Sequence, residues 1–347
     1  MAFNTTGGAA ELQVGGNLSL AAGNVSNMQS LFENANFSLR LNASVTGSYT
    51  VTTSTLNITR VYIEPASSST NYYLSSFNSS GTPGYVAIKR LDHTSGNVYL
   101  GYNYTYSYRF GDVSNSSQHT ALYCYSTNNK SINTSSSNPA VTITAYGDVT
   151  FGTQYNGNYT VNLDSSTILD FRGSATPRVL TVTPAGSSPS STYVPFGQIQ
   201  NYTGENISGS SVGSGVQLQL TGAPISVHKL TCKSAGSVSG SYSRGVVFDG
   251  TYKTKFFSTY AAPLDAVGDS TNQVVLTAPM GQFSDIEAVN GASPGTLQVY
   301  YCTLSRMTAD MTGTYLAYTS NGNVDGGFNS DWVFTAPSSG GFLLFFQ

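Results

Sequence analysis

The chain has 347 residues, of which 39% are hydrophobic and 9% are charged, and its net charge is −3. This hydrophobic content supports a folded core, and the length suggests about two domains. Ordinary soluble domains carry roughly 25% charged residues; because this chain has no basic run, its composition argues against direct nucleic-acid binding.

The polar residues are mostly uncharged, since Ser and Thr together fill 90 positions and Gly fills another 36. Protonating a carboxylate with a strongly depressed native pKa costs about 2–3 kcal/mol of stability, and this chain has few carboxylates to protonate. We therefore expect an acid-stable protein; a charge-poor β-protein with no special habitat is the alternative. No apolar run approaches the ~18–20 residues of a membrane-spanning helix, so we expect no transmembrane segment.

Alternation of apolar and polar residues recurs along the chain and predicts strands with one buried face. Only Ser26–Ala35 is typical of a helix, because Ser26 and Gln29 fit a capping box. The strand pattern is clearest at residues 36–42, 85–91, 101–110, 141–144, 158–163 and 216–220. Asn156-Gly157, Asp249-Gly250 and Asn321-Gly322 predict tight hairpin turns, and His93–Asn97 predicts a longer hairpin loop.

Roughly 16 to 18 segments qualify as strands, a number that suits two eight-stranded units. The clearest break is the Pro-, Gly- and Ser-rich run at residues 183–192. The sequence therefore predicts an all-β fold with very little helix, built as two jelly-roll-like β-sandwich or barrel domains in tandem. Residues 1–180 would form the first domain, 181–197 the linker and 198–347 the second domain.

N-x-[ST] glycosylation sequons are unusually frequent: they contain fourteen of the 27 asparagines, where about seven would arise by chance. In residues 101–110 the aromatic side chains alternate with polar ones, and Asn103 lies on the polar side. The candidate glycosylation sites are Asn17, Asn24, Asn36, Asn42, Asn78, Asn103, Asn115, Asn129, Asn133, Asn158, Asn201 and Asn206. Residues 207–347 contain no sequon, which favours a role for them in assembly or on an inner face.

No established catalytic motif occurs, so we expect no enzyme, no cofactor and no metal site. Asp285 and Glu287 share one side of a predicted strand, the spacing of an acid/base pair, but solvated surface charges are the simpler interpretation. The three histidines are isolated. Cys124, Cys232 and Cys302 lie in strand-like runs; buried thiols are favoured, and one disulfide with a leftover thiol is the alternative.

In size, composition and strand pattern the whole chain resembles the major capsid proteins of turreted icosahedral archaeal viruses, members of the double jelly-roll capsid lineage. The resemblance implies a glycosylated virion shell in which three copies form a capsomer with other virion proteins. An extracellular archaeal filament subunit, which donates a strand at Glu11–Leu20 to a neighbouring copy, is one alternative. A virion turret or spike adhesin is another. The preferred assembly anchor is the apolar run Phe342, Leu343, Leu344, Phe345 and Phe346.

Overall fold

The structure is a computed structural model of the chain. It describes residues 2–6, 9–19, 32, 36–53, 57–67, 69–76, 85–93, 96–100, 107–110, 120–126, 130–134, 141–153, 159–163, 165–173, 177–182, 193–203, 217–233, 244–257, 263–291 and 293–336. Within these ranges the fold is all-β with almost no helix, as the sequence predicts. Of the predicted helix at residues 26–35, only Phe32 lies in the described ranges.

The strands form a parallel solenoid. Each strand pairs with one that lies a whole coil further along the chain, as Leu12 pairs with Leu39 and Leu39 with Val61. The separation between such partners ranges from 18 residues, for Leu297 and Tyr315, to 40, for Leu180 and Leu220. Apart from two antiparallel pairs, every pairing between described strands is parallel.

Each coil contributes strands to as many as three faces. Face 1 is the longest ladder and contains β2 (Ala9–Val14), β4 (Phe37–Leu41), β6 (Asn57–Ile63), β8 (Tyr85–His93), β11 (Thr120–Ser126), β14 (Asp148–Thr153), β17 (Arg178–Val182), β19 (Gln217–Thr221), β21 (Gly245–Val247), β24 (Val274–Thr277), β28 (Cys302–Ser305) and β31 (Val324–Asp325). At about 4.8 Å per step, these twelve strands give the solenoid an axial length of roughly 50 Å.

The other two faces are built in the same way. Face 2 contains β10 (Ser107–Phe110), β13 (Thr142–Ala145), β16 (Ile168–Gly173), β18 (Val194–Thr203), β20 (Ile225–Lys233), β23 (Leu264–Val267), β27 (Thr296–Gln298) and β30 (Thr314–Leu316). Face 3 contains β3 (Leu18–Ser19), β5 (Ser48–Thr53), β7 (Asn71–Ser76), β9 (Asn97–Leu100), β12 (Lys130–Thr134), β15 (Tyr159–Asn162), β22 (Thr254–Phe257), β25 (Ser284–Asn290) and β29 (Met307–Ala309). Two short strands complete the set, β1 (Ala2–Thr6) and β26 (Ser293–Pro294).

Some strands turn a corner between faces. The first residues of β20, Ile225–Val227, pair with β22 on face 3, whereas its last residues, Leu230–Lys233, pair with β23 on face 2. Similarly, Tyr85–Ile88 pair with β10 and Leu91–His93 with β11. The three faces therefore wrap around a single interior.

The interior consists of stacked side chains. On face 1 the inward column Leu12, Leu39, Val61, Leu91, Leu122, Val149, Leu180 and Leu220 is at most 2% exposed throughout. Leu218, Val246, Leu276 and Leu304 form the neighbouring inward column of the same face, all at 0%. Tyr108 and Phe110 of the aromatic run are also fully buried, while residues 101–106 lie outside the described ranges. Because each coil buries its apolar side against its neighbours, the coils depend on one another for stability.

The predicted hairpin at Asp249-Gly250 is wrong, because the flanking strands β21 and β22 pair with other coils and not with each other. The Asp249 carboxylate accepts hydrogen bonds from the Thr251 and Tyr252 amides, at 2.6 and 3.1 Å, and turns the chain at a corner. Likewise, His93–Asn97 joins face 1 to face 3, and Asn321-Gly322 leads from face 2 to face 1. Asn156-Gly157 lies outside the described residues.

The two jelly-roll-like domains are not confirmed, since jelly rolls are built from antiparallel strands and these ladders are parallel. The division at residues 181–197 stays a prediction. The ladders pair β16 with β18 and β17 with β19, so paired strands lie on both sides of that stretch.

The two ends of the solenoid differ. At the N-terminal end β1 runs antiparallel to β2 on face 1. Near the C-terminal end Trp332, 8% exposed, packs on Tyr315 with ring centroids 5.5 Å apart. Among the described residues, no helix has the length and apolarity needed to cross a bilayer.

Candidate functional site: ionic cluster and exposed apolar corner

Asp285 and Glu287, the carboxylates noted in the sequence, lie on the outer side of β25 as expected. Each has a lysine of the preceding coil beside it: Lys253 Nζ is 3.3 Å from Asp285, and Lys255 Nζ is 3.2 Å from Glu287. The pairing of β22 with β25 places Lys255 directly opposite Glu287. Two adjacent coils thus bring together two oppositely charged pairs.

Two further residues complete this ionic cluster. Asp310 accepts a hydrogen bond from Lys253 at 3.2 Å. Tyr193 donates one to Glu287 at 2.9 Å, and Lys255 Nζ lies 4.3 Å from the centre of its ring. The cluster therefore holds three carboxylates, two ammonium groups and one phenol, contributed by at least four coils.

The pKa shifts follow from these contacts. Burial, together with the bond to Glu287, raises the pKa of Tyr193. Hydrogen bonds from the hydroxyl and the amide of Thr312, aided by Lys253, lower the pKa of Asp310. For Lys253, burial alone would lower the pKa, but Asp285 and Asp310 outweigh it and raise the pKa. The ionised forms of Asp310 and Lys253 are thus stabilised in the folded protein.

Acid/base catalysis would need one carboxylate that stays protonated near neutral pH. Here Asp285, Glu287 and Asp310 all lie within hydrogen-bond or ion-pair distance of a cation or phenol. None of the three carboxylates is therefore isolated from a cation or a hydrogen-bond donor. The arrangement supports the simpler interpretation of the sequence, in which these are structural surface charges.

Ion pairs of the same kind join the coils near the N-terminal end. Arg40 contacts both Glu11 and Glu64, and its guanidinium lies 4.6 Å from the ring centre of Tyr62. The contact with Arg40 lowers the pKa of Glu11. Glu11, Leu12, Val14 and Leu18 make their contacts within their own chain in this structure. Donation of Glu11–Leu20 to a neighbouring copy stays a prediction.

The described thiols are free and buried. Cys232 and Cys302 are both 0% exposed and form no disulfide; the side chain of Cys124 is not described. Burial raises the pKa of Cys232 to about 12 and also raises that of Cys302. Neither thiol is therefore activated as a nucleophile or metal ligand.

The two histidines that the structure describes lie in separate places. His93 is fully buried, with Nε2 3.0 Å from the Gly96 carbonyl oxygen, and His228 stacks on Phe257. His119 lies outside the described residues. Over the described ranges, no group of three or more His, Cys, Asp or Glu side chains has the arrangement to hold a metal ion.

Two buried arginines were not predicted from the sequence. Arg178 and Arg244 are each 1% exposed. In the structure, Nε and Nη1 of Arg178 have no hydrogen-bond partner, and burial lowers its pKa. Arg178 pairs with Leu218 at the start of β17, so it occupies the inward side of face 1. The alternation Arg178, Leu180, Val182 is the signal that would have placed it inside.

Three of the candidate glycosylation sites have described side chains compatible with glycan attachment. Asn17 and Asn36 are exposed, and Asn42 is half-buried with its amide 3.4 Å from Gln13. Asn133 belongs to β12, but its side chain is not described. Asn24, Asn78, Asn103, Asn115, Asn129, Asn158 and Asn206 lie outside the described residues, as do Phe342–Phe346.

Asn201 must be withdrawn as a glycosylation site. It is 0% exposed and lies between Phe171 and Cys232 of the adjacent coils. Its amide donates to the Gly245 carbonyl oxygen at 2.7 Å. A glycan cannot be accommodated at this amide in the folded chain.

An exposed apolar corner lies between face 1 and face 3 in the last coils. Met280 is 92% exposed, Phe283 52% and Phe328 76%. Because Ser284 pairs with Met307, and Thr308 with Ser330, Phe283 and Phe328 occupy equivalent positions two coils apart. Arg306 holds that position in the coil between them. We call Met280, Phe283, Arg306 and Phe328 the apolar corner.

Two details distinguish the apolar corner from an ordinary surface. Arg306 turns its guanidinium back to Ala278 O and Thr277 Oγ1, at 3.1 and 3.0 Å, so its charge does not project between the two rings. Arg306 and Phe328 have positive φ values of 56° and 61°. Bulky residues rarely adopt this conformation, which costs of order 1–3 kcal/mol and is concentrated at functional sites.

No protein-family model, no curated protein and no solved structure matches this chain.

Proposed function

We propose that this protein is a structural subunit that assembles with copies of itself, and that it is not an enzyme. The apolar corner carries the proposal. Clusters of exposed large apolar side chains mark interaction sites, and here two phenylalanines and a methionine are held out from the end of a rigid scaffold. The ionic cluster, whose carboxylates are all paired, supports a structural role.

The solenoid favours some forms of assembly over others. The capsid interpretation relied on two jelly-roll-like halves, for which the parallel ladders offer no support. A rod with dissimilar ends suits a filament or a projecting spike, because a heterologous contact that does not close builds a linear array. We therefore place the extracellular filament subunit first and the virion spike second, and keep the archaeal virion shell as a third proposal.

The proposed outer surface has few charges and is suited to glycans. Asn17 and Asn36 are exposed on the first coils, whereas the apolar corner belongs to the last coils, where no sequon occurs. We propose that glycans occupy the N-terminal part of the molecule and that contacts between copies use the C-terminal part.

Electron microscopy and sedimentation velocity of the purified full chain test the proposal. We expect particles or filaments well above the 36.6 kDa monomer. The double substitution Phe283→Ser with Phe328→Ser should weaken assembly at least tenfold. Met311→Ser is the matched control, because Met311 is 86% exposed but lies after β29, away from the apolar corner. A full chain that stays monomeric at every concentration would overturn the proposed function.

A further inference from the structure

The outermost strands at the two ends of the solenoid lie on the same face. β1 pairs only with β2, and β31 only with β28, among the described strands. Since β2 and β31 are the first and last parallel strands of face 1, β1 extends that ladder below and β31 ends it above. Each end therefore presents one strand edge on face 1 whose outer side has no described neighbour.

We propose that copies of this chain stack head to tail, with the open edge of β31 in one copy pairing with the open edge of β1 in the next. β31 runs in the same direction as β2, and β1 runs opposite to β2. The new contact is therefore antiparallel, and its hydrogen bonds are those of an ordinary sheet. This inference deepens the proposed function and rests on it.

The charge of the two edges suits this partner. Natural edge strands are usually blocked by charged residues or proline, but β1 reads Ala-Phe-Asn-Thr-Thr and contains neither. On β31 the carboxylate of Asp325 turns back to accept from the Gly327 amide at 2.9 Å and from Asn329 Nδ2 at 2.7 Å. Neither edge thus opposes a second copy electrostatically.

The rim of the C-terminal end is apolar. Val324 on β31 is 44% exposed, and Val333 on face 2 is 43% exposed, above the nearly buried Trp332. The described backbone hydrogen bonds of this last coil run to the coil below, for example Val333 N to Tyr315 O at 2.8 Å. A next coil supplied by another copy would cover these side chains and complete the backbone pairing.

Charge substitutions at the two edges test the stacking. Thr6→Lys changes β1, and Val324→Glu changes β31. We expect each variant alone to assemble at least tenfold more weakly than the wild type in sedimentation velocity. An equal mixture should recover assembly, because the lysine of one variant then faces the glutamate of the other. The matched controls Thr50→Lys and Val275→Glu place the same charges on interior coils and should leave assembly unchanged.

The outcomes separate this inference from the proposed function. If the wild type assembles and Thr6→Lys or Val324→Glu assembles equally well, the stacking is wrong and the structural role stands. If a chain ending at Ala336 assembles where the full chain does not, residues 337–347 occupy the end and the inference is overturned. A wild type that never assembles overturns both. Circular dichroism melting of each variant separates lost assembly from lost folding.

Discussion

The parallel ladder predicts energetic coupling between side chains that are thirty residues apart in sequence. Val246 and Leu276 are register partners on face 1, and both are fully buried. Leu276→Ala removes a side chain enclosed by the coils above and below, so it should cost about 3–5 kcal/mol of unfolding free energy. Val246→Ala removes about two methyl groups and should cost roughly 1.5–2.5 kcal/mol.

The decisive quantity is the double variant. Because the two side chains share one packing environment, the second substitution acts on a site that the first has already loosened. The combined cost should differ from the sum by about 0.5–3 kcal/mol. Leu39→Ala is the control, since Leu39 is a fully buried residue of the same face eight strands earlier. Its cost should add to that of Leu276→Ala within about 0.5 kcal/mol.

Urea unfolding followed by circular dichroism and by fluorescence measures these costs. The chain has one tryptophan, Trp332, near the C-terminal end of the ladder. Coincident transitions by the two probes would justify a single unfolding free energy, and an unchanged urea slope would show that the unfolded reference is the same. Strict additivity for Val246 and Leu276, or equal coupling of Leu276 to Leu39, would refute the parallel register.

Three further predictions follow from the buried and paired groups. Stability should fall more above pH 9 than below pH 5. Burial raises the pKa of Tyr146, Tyr315 and Cys232 to about 12, so the stability that these groups contribute is present below their ordinary pKa values and is lost as pH rises towards 12. The pKa values of Glu11 and Asp310 are lowered, so their contribution is lost only as pH falls below about 4.5 and 3.8; melting temperatures that fall more steeply on the acid side would contradict this prediction. In a Cys124→Ser variant, a thiol reagent at pH 8 should label neither remaining cysteine until denaturant is added, and rapid labelling without denaturant would show that Cys232 or Cys302 is accessible. Glu287→Gln should lower the free energy of unfolding by about 0.2–1 kcal/mol, and by less at high salt. Glu287 is 18% exposed, and the glutamine keeps an oxygen that accepts from Tyr193. A loss of several kcal/mol would show that the ion pair with Lys255 is more than a surface contact.

Local strand positions follow from sequence, but their partners do not. The strands at Phe37–Leu41, Thr142–Ala145 and Gln217–Thr221 lie where alternation predicts them. Alternation fixes which side of a strand is buried and is the same for parallel and antiparallel neighbours. The choice between a jelly roll and a solenoid depends on pairings 18 to 40 residues apart, which no short pattern encodes.

One signal of the solenoid was present in the sequence. Leu218, Val246, Leu276 and Leu304 follow each other at nearly constant intervals of about thirty residues, as expected for one coil per repeat. Elsewhere the coils carry insertions of different lengths, which conceal the period. The turn at Asp249-Gly250 misled the prediction because an Asp side chain caps a solenoid corner as readily as a hairpin.

For the candidate site, too, some positions follow from the sequence, whereas the partners depend on the fold. The shared side of Asp285 and Glu287 follows from their spacing, whereas their lysine partners come from another coil and depend on the fold. Asn201 has the same parity in β18 as the buried Ile199, so parity alone excludes it as a glycan site. The apolar corner has no sequence signature, because only the pairing of three coils places Phe283 and Phe328 at equivalent positions.

The low charge content is itself a consequence of parallel stacking. In such ladders equivalent side chains lie about 4.8 Å apart, so a column of like charges would repel at every step. The protein fills these columns with neutral ladders instead, such as Asn71 with Asn97 at 2.9 Å and Tyr73 with Tyr99 at a ring separation of 4.7 Å. Some charges lie beside an opposite charge of the next coil, as Glu287 lies beside Lys255.

A surface built in this way is also suited to self-association. Long-range repulsion between copies grows with net charge, and here the net charge is only −3 over 347 residues. Where neutral ladders such as these form the surface, another copy's coil would meet the same uncharged side chains that the neighbouring coils of its own chain meet. The contacts that stack the coils within one chain would therefore also stack successive chains, provided that the edges of β1 and β31 remain open to each other.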